Sequence, residues 1–151
     1  MNLSALKSPP FRSYVVSLHL ALNGFWAQRV IIGWLAWEMT GSAGFVGLVA
    51  FLNFFPTLFV SPLFGVFADR IDVRAGSIFS YAVAGILSAL FAGLCIFGSP
   101  TPILLALFSF VTGVISSANH PMRMSLTPRL APAGDLPSVV AITSLNFNMS
   151  R

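Results

Sequence analysis

Residues 45–97 read FVGLVAFLNFFPTLFVSPLFGVFADRIDVRAGSIFSYAVAGILSALFAGLCIF. Two long apolar runs, Phe45 to Ala68 and Ala75 to Phe97, flank Asp69 to Arg74, which holds two acids and two bases in six residues. Each run supplies the roughly 20 apolar residues that an α-helix needs to cross a ~30 Å hydrocarbon core. In that medium the backbone must satisfy its own hydrogen bonds, which a helix does. The stretch therefore predicts a membrane hairpin: two spanning helices joined by a tight charged loop.

The rest of the chain has the same character. It has 151 residues, of which 56% are hydrophobic and 8% charged. A soluble domain carries about 25% charge. Eight basic and four acidic residues cannot keep the surface of such a domain wet. The mean hydropathy of +0.87 and 15 Phe agree, so a soluble enzyme, a disordered tail and a coiled coil are excluded. A pI of 10.3 could suggest nucleic acid. That partner needs basic residues clustered on one face, whereas here they come as scattered pairs: Lys7 and Arg12, Arg70 and Arg74, Arg123 and Arg129. Cys95 is the only cysteine and lies inside an apolar run, so no intramolecular disulfide or Cys-based metal cluster forms. Met1 to Gly24 begins like a signal peptide but has no small-x-small cleavage site, and further apolar runs follow. It reads as an uncleaved first membrane helix.

An all-α polytopic membrane protein is expected, with four transmembrane helices and the start of a fifth. The helices fall at about 13–39, 45–68, 75–97 and 103–119, with an incomplete one over 136–151. Residues 1–12 form an N-terminal tail. A polar, Pro-containing segment runs from Pro121 to Gly134, and Asp135-Leu136-Pro137 opens the fifth helix, with Asp as cap and Pro in the first turn. The basic pairs occupy alternate connections; the intervening loops, Thr40 to Gly44 and Gly98 to Pro102, carry none. The positive-inside rule then places the N-terminus in the cytoplasm. Trp34 and Trp37 fall at the outer interface, where an aromatic belt belongs. Loops this short hold no catalytic domain. With no metal-ligand spacing, phosphate loop or nucleophile elbow, neither enzyme activity, a metal nor a cofactor is expected. His19 and His120 stand alone in sequence and read as hydrogen-bonded polar residues.

Polar residues inside a span are costly, roughly 2.5–3.5 kcal/mol for Arg at a helix centre. The first helix has the most: His19, Asn23, Gln28 and Arg29. Arg29 sits about 24 Å above Ser13. There it either snorkels to the outer interface or lines an aqueous cavity that meets an anionic substrate. Glu38, nine residues on, lies on the opposite face and is interfacial. His19 and Asn23, four apart, share a face. With Asn53 in helix two and Asn119 at the inner end of helix four, these residues are a candidate cavity lining. Their structural alternative is interhelical hydrogen bonding, worth about 0.6 kcal/mol per contact. Pro56 and Pro62 break backbone bonds in helix two, which membranes tolerate where neighbours re-satisfy the freed groups.

Gly65-x-x-Ala68-Asp69-Arg70-x-x-x-Arg74 resembles the loop between helices two and three of the major facilitator superfamily. Asn23-Gly24, Trp26, Gln28, Gly33-Trp34-Leu35 and Thr40-Gly41-Ser42 are similar to the first helix and loop of its enterobactin-exporter-like branch, the transmembrane secretion effectors. So are Pro56, Pro62, Asn119-x-Pro121, Leu136-Pro137, Ser144-Leu145-Asn146 and Asn148-x-x-Arg151. The resemblance implies that the chain is part of the N-terminal six-helix half of a twelve-helix exporter, an N-terminal fragment whose partners are the missing C-terminal part, the lipid bilayer and a small-molecule substrate. Such halves rock in alternating access around a site between them. The cargo implied is a small amphipathic or anionic molecule of siderophore or drug type. The location that the resemblance implies is the plasma membrane, the inner membrane of a bacterium. Gly65, Asp69, Arg70, Asp72 and Arg74 would form a conformational latch, with Asp69 contacting the opposite half. Two departures stand out: in the loop, Val73 replaces the superfamily's basic residue, next to Asp72 where the superfamily usually has Gly but this branch often an acid, and Ser109 stands where its helix-four motif places Arg four residues before Gly113. A truncated or accessory bundle without transport of its own is the alternative. A four-helix dimeric antiporter ranks last, because no carboxylate lies mid-span.

Overall fold

The computed structural model describes residues 4–68, 72–130 and 135–150, with the side chains of 64–68, 120 and 128 left aside. After a short 3-10 turn at Ser4–Lys7 come five helices: α1 (Pro9–Thr40), α2 (Ala43–Ala68), α3 (Val73–Phe97), α4 (Pro102–Arg129) and α5 (Leu136–Met149). No strand occurs among the described residues. Four helices are long and apolar enough to cross a membrane, over Pro9–Thr40, Ala43–Leu63, Val73–Phe97 and Pro102–Thr127. The all-helical, polytopic class follows.

Local chemistry sets the helix ends. α1 starts at Pro9-Pro10, earlier than the apolar run, because the first turn has N–H groups with no intrahelical partner and proline lacks one. It stops at Gly41, whose φ of 59° is the left-handed conformation that closes a helix without a Cβ penalty. The Gly41 N–H returns to Trp37 O at 2.7 Å. Ser42 then caps α2, its Oγ accepting from Phe45 N at 3.3 Å. Thr101 does the same for α4, accepting from Leu104 N at 3.3 Å.

α4 corrects the sequence reading. Expected to end near Asn119, it continues to Arg129. Pro121 removes only the bond to the Ser117 carbonyl, and the polar residues beyond it include no glycine to stop the helix. Met122, 4% exposed, is buried in that extension, and Tyr14 Oη meets Thr127 Oγ1 at 2.8 Å. α5 also departs in detail. Asp135 precedes the helix, but its side chain makes no cap hydrogen bond. Its Oδ1 instead accepts from Ser4 Oγ at 2.6 Å.

The chain divides into two compact units: Met1–Arg29 with Met124–Arg151, and Val30–Arg123. In the first, Ala5, Phe11, Val139 and Ile142 form the buried core. In the second, Ile32, Ala36, Val49, Phe91 and Leu105 do so, with the Phe91 and Phe108 rings stacked at 4.1 Å.

In the second unit α2 and α4 run parallel, since Asn53 meets Ser109 and Thr57 meets Ser117. Gly113 makes that packing possible. A Cβ there would lie 2.9 Å from the Asn53 carbonyl carbon and 3.0 Å from its Cα. Small residues that let backbones touch are the usual basis of helix packing in lipid, where no hydrophobic force separates helix from solvent.

Candidate functional site

The polar residues of the first unit converge where α1 meets α5. Spacing alone put His19 and Asn23 on one face of α1; the structure adds Asn146 and Ser150 from α5. His19 Nδ1 lies 2.6 Å from Asn146 Oδ1 and 3.2 Å from Ser150 Oγ. Asn146 Nδ2 donates to Val15 O at 3.1 Å. Asn23 Nδ2 donates to His19 O at 2.8 Å and to Ser150 Oγ at 3.4 Å. Ser150 Oγ donates to Asn146 O at 2.9 Å. Asn146 and Ser150 are each 6% exposed. A buried amide costs free energy unless both its ends are paired, and here both are.

One amide orientation and, for an uncharged imidazole, one tautomer satisfy this geometry. Nδ2 of Asn146 must face the Val15 carbonyl, so Oδ1 faces His19. An amide oxygen only accepts, so Nδ1 of His19 donates to it, and in an uncharged ring Nε2 then presents a lone pair. Beside the ring lies an open groove of about 410 Å³, lined by His19, Asn146 and apolar residues of α1, α5 and the 3-10 turn.

The other candidate lining residues lie elsewhere. Asn53 Nδ2 donates to Ser109 O at 3.2 Å and to Thr112 Oγ1 at 3.3 Å, bridging α2 to α4. Asn119 Oδ1 accepts from Ser80 Oγ, bridging α4 to α3. Arg29 places its guanidinium 5.4 Å from the Phe25 ring and 5.4 Å from the Trp26 ring, an arrangement that offsets part of its desolvation through the ring quadrupoles. Gln28 is half-buried on the same helix. Ser109, at the position of the superfamily's helix-four Arg, is fully buried, its hydroxyl donating to Leu105 O at 2.8 Å. It is a packing residue there.

Of the loop residues, Asp69 and Arg70 lie outside the described residues, and Gly65 lies within α2. Asp72 caps α3, its Oδ1 accepting from Arg74 N at 2.9 Å and Ala75 N at 3.5 Å. An acid at an N-cap satisfies orphan N–H groups and meets the positive end of the helix dipole. This explains why an acid suits a position where the superfamily usually has Gly. At the other end of α1, Glu38 accepts from Trp34 Nε1 at 3.0 Å on the exposed surface.

A chain of helices long and apolar enough to cross a membrane, with polar side chains paired between two of them, is a polytopic membrane protein. The model of the transmembrane secretion effector family matches residues 1–151. The chain belongs to that family, within the major facilitator superfamily, and its general role is transmembrane transport. No curated protein and no solved structure matches it.

Proposed function

We propose that this protein takes part in exporting small amphipathic or anionic molecules, of siderophore or drug type, from the cytoplasm across the plasma membrane. It would do so by alternating access, with its N-terminus cytoplasmic and further helices of the transporter completing the path. The observation that carries this reading is the family match over the whole chain. The α1–α5 clasp supports it: a paired polar cluster beside an apolar groove suits a cargo that is mostly apolar with a few polar atoms.

In this reading Asp69, with Gly65, Arg70 and Arg74, forms the conformational latch, while Asp72 starts α3. Asp69→Asn in the protein tests it. Export should fall at least tenfold, with membrane insertion unchanged by surface labelling or quantitative blotting. Export at the wild-type rate would overturn the latch. A neutral substitution of Arg29 should alter cargo preference if the residue lines the path; an unaltered cargo profile would assign it to the interface.

A further inference from the structure

The mechanism proposed above leaves a polar atom of His19 unexplained. His19 spends Nδ1 on Asn146 and Ser150, and among the described residues nothing pairs with Nε2. The ring lines the groove together with Val15, Val16 and Leu20 of α1 and Ile142, Leu145 and Met149 of α5. Both ends of the Asn146 amide are already bonded. The groove therefore offers an apolar wall and one lone pair. Its volume of about 410 Å³ is within the roughly 300–1,000 Å³ of small-molecule sites.

We infer that this groove is a binding site for a small amphipathic molecule with an apolar body and one hydroxyl donor, an alkylphenol being the simplest, with the hydroxyl donating to His19 Nε2. The chemistry selects the occupant. A lipid acyl chain or an apolar helix face would fill the groove but leave Nε2 unpaired in a dry environment, which is unfavourable. A hydroxyl on an apolar body satisfies both surfaces at once. The α1–α5 clasp holds the ring in place, because the Nδ1–H bond fixes both its orientation and its tautomer. The inference rests on the export reading for its purpose, but binding tests it independently.

The test uses an alkylphenol with a diazirine at the end of its alkyl chain, and the methyl ether of the same compound, which keeps the shape and lacks the donor. Each is photolysed with the full chain in nanodiscs, and the labelled residues are mapped by mass spectrometry. The expected result is labelling concentrated on Leu20, Leu145 and Met149, with the phenol labelling about three- to tenfold more than the ether, as one net hydrogen bond allows. His19→Phe should abolish the preference. Leu145→Trp, which leaves His19 and Asn146 in place, should remove labelling by both probes. If His19→Phe fails to insert, the phenol-to-ether ratio in the wild type and the Leu145→Trp variant still decide. Equal labelling by phenol and ether would overturn the site. So would labelling spread evenly over the exposed faces of α2 and α3, which would mark the groove as lipid-covered, and so would crosslinks between copies of the chain. Phenol binding without export by the complete transporter refutes the export reading and leaves the site intact; export without groove labelling does the reverse.

Discussion

Asn146 and Asn53 do the same thing in two parts of the molecule. Each reaches from its own helix to a backbone carbonyl on another, Asn146 to Val15 O and Asn53 to Ser109 O. What surrounds them differs. Around Asn53 the hydroxyls return to their own helix: Thr112 Oγ1 donates back to Phe108 O at 2.9 Å, Ser117 Oγ to Gly113 O at 2.6 Å, and Gly113 brings the two backbones together. Around Asn146 the partner is an imidazole with a second nitrogen, and an open groove lies beside it. A polar residue in a membrane helix is thus identified as glue or as part of a site by what its partners have left to offer, more than by its own identity.

The comparison can be broken most severely at Gly113. Gly113→Val should lower stability by about 1–3 kcal/mol, the usual cost of forcing volume into a filled interface. Thermal or denaturant unfolding in nanodiscs measures it. Gly93→Ala is the control, since nothing lies within 4 Å of a Cβ there, and should stay within about 0.5 kcal/mol of wild type. A Gly113→Val protein as stable as Gly93→Ala would mean that α2 and α4 do not approach closely.

Next come the two asparagines. Asn146→Leu leaves the His19 Nδ1–H only its longer contact to Ser150 Oγ, and should cost about 1–2 kcal/mol. Asn53→Leu should cost about 0.6 kcal/mol, the average for polar contacts between membrane helices. The sharper distinction is functional: Asn146→Leu should also weaken phenol labelling of the groove, and Asn53→Leu should leave it unchanged. Equal effects of both substitutions on labelling would erase the difference between the two regions.

The smallest structural effect expected outside the spans is at Asp72. Asp72→Ala should cost about 1 kcal/mol through loss of the α3 cap, whereas Asp72→Asn should cost only a few tenths. If Asp72→Asn impaired export as strongly as Asp69→Asn, Asp72 would belong to the latch by charge and not by capping.

Much of this was legible in the sequence, for physical reasons. The hairpin over residues 45–97 declares itself because a bilayer demands uninterrupted apolar length and pushes charge to the loop. The shared face of His19 and Asn23 follows from helical period alone. The extension of α4 was not legible, because Pro121 and a polar composition look like a helix end when the apolar run is the ruler, while a helix outside the core is held by contacts such as Tyr14 with Thr127. Asn146 could be quoted as part of the family resemblance and Ser150 fell on an unmatched position, but neither could be paired with His19, since partnership between helices 127 and 131 residues apart in the chain depends on tertiary packing. Asp72 looked like part of a charge cluster; its role as a cap rests on φ and ψ of −65° and 103° and on two backbone donors, which composition does not display.

The most direct test of the division between the two regions is accumulation of a fluorescent alkylphenol in energised everted membrane vesicles carrying the complete transporter proposed above. His19→Phe and Asn53→Leu are compared at equal amounts of inserted protein. Vesicles with Asn53→Leu should accumulate the compound at close to the wild-type rate, and those with His19→Phe should lose most of the increment over vesicles without the protein. Loss of accumulation in Asn53→Leu with retention in His19→Phe, or equal rates in both, would contradict the account.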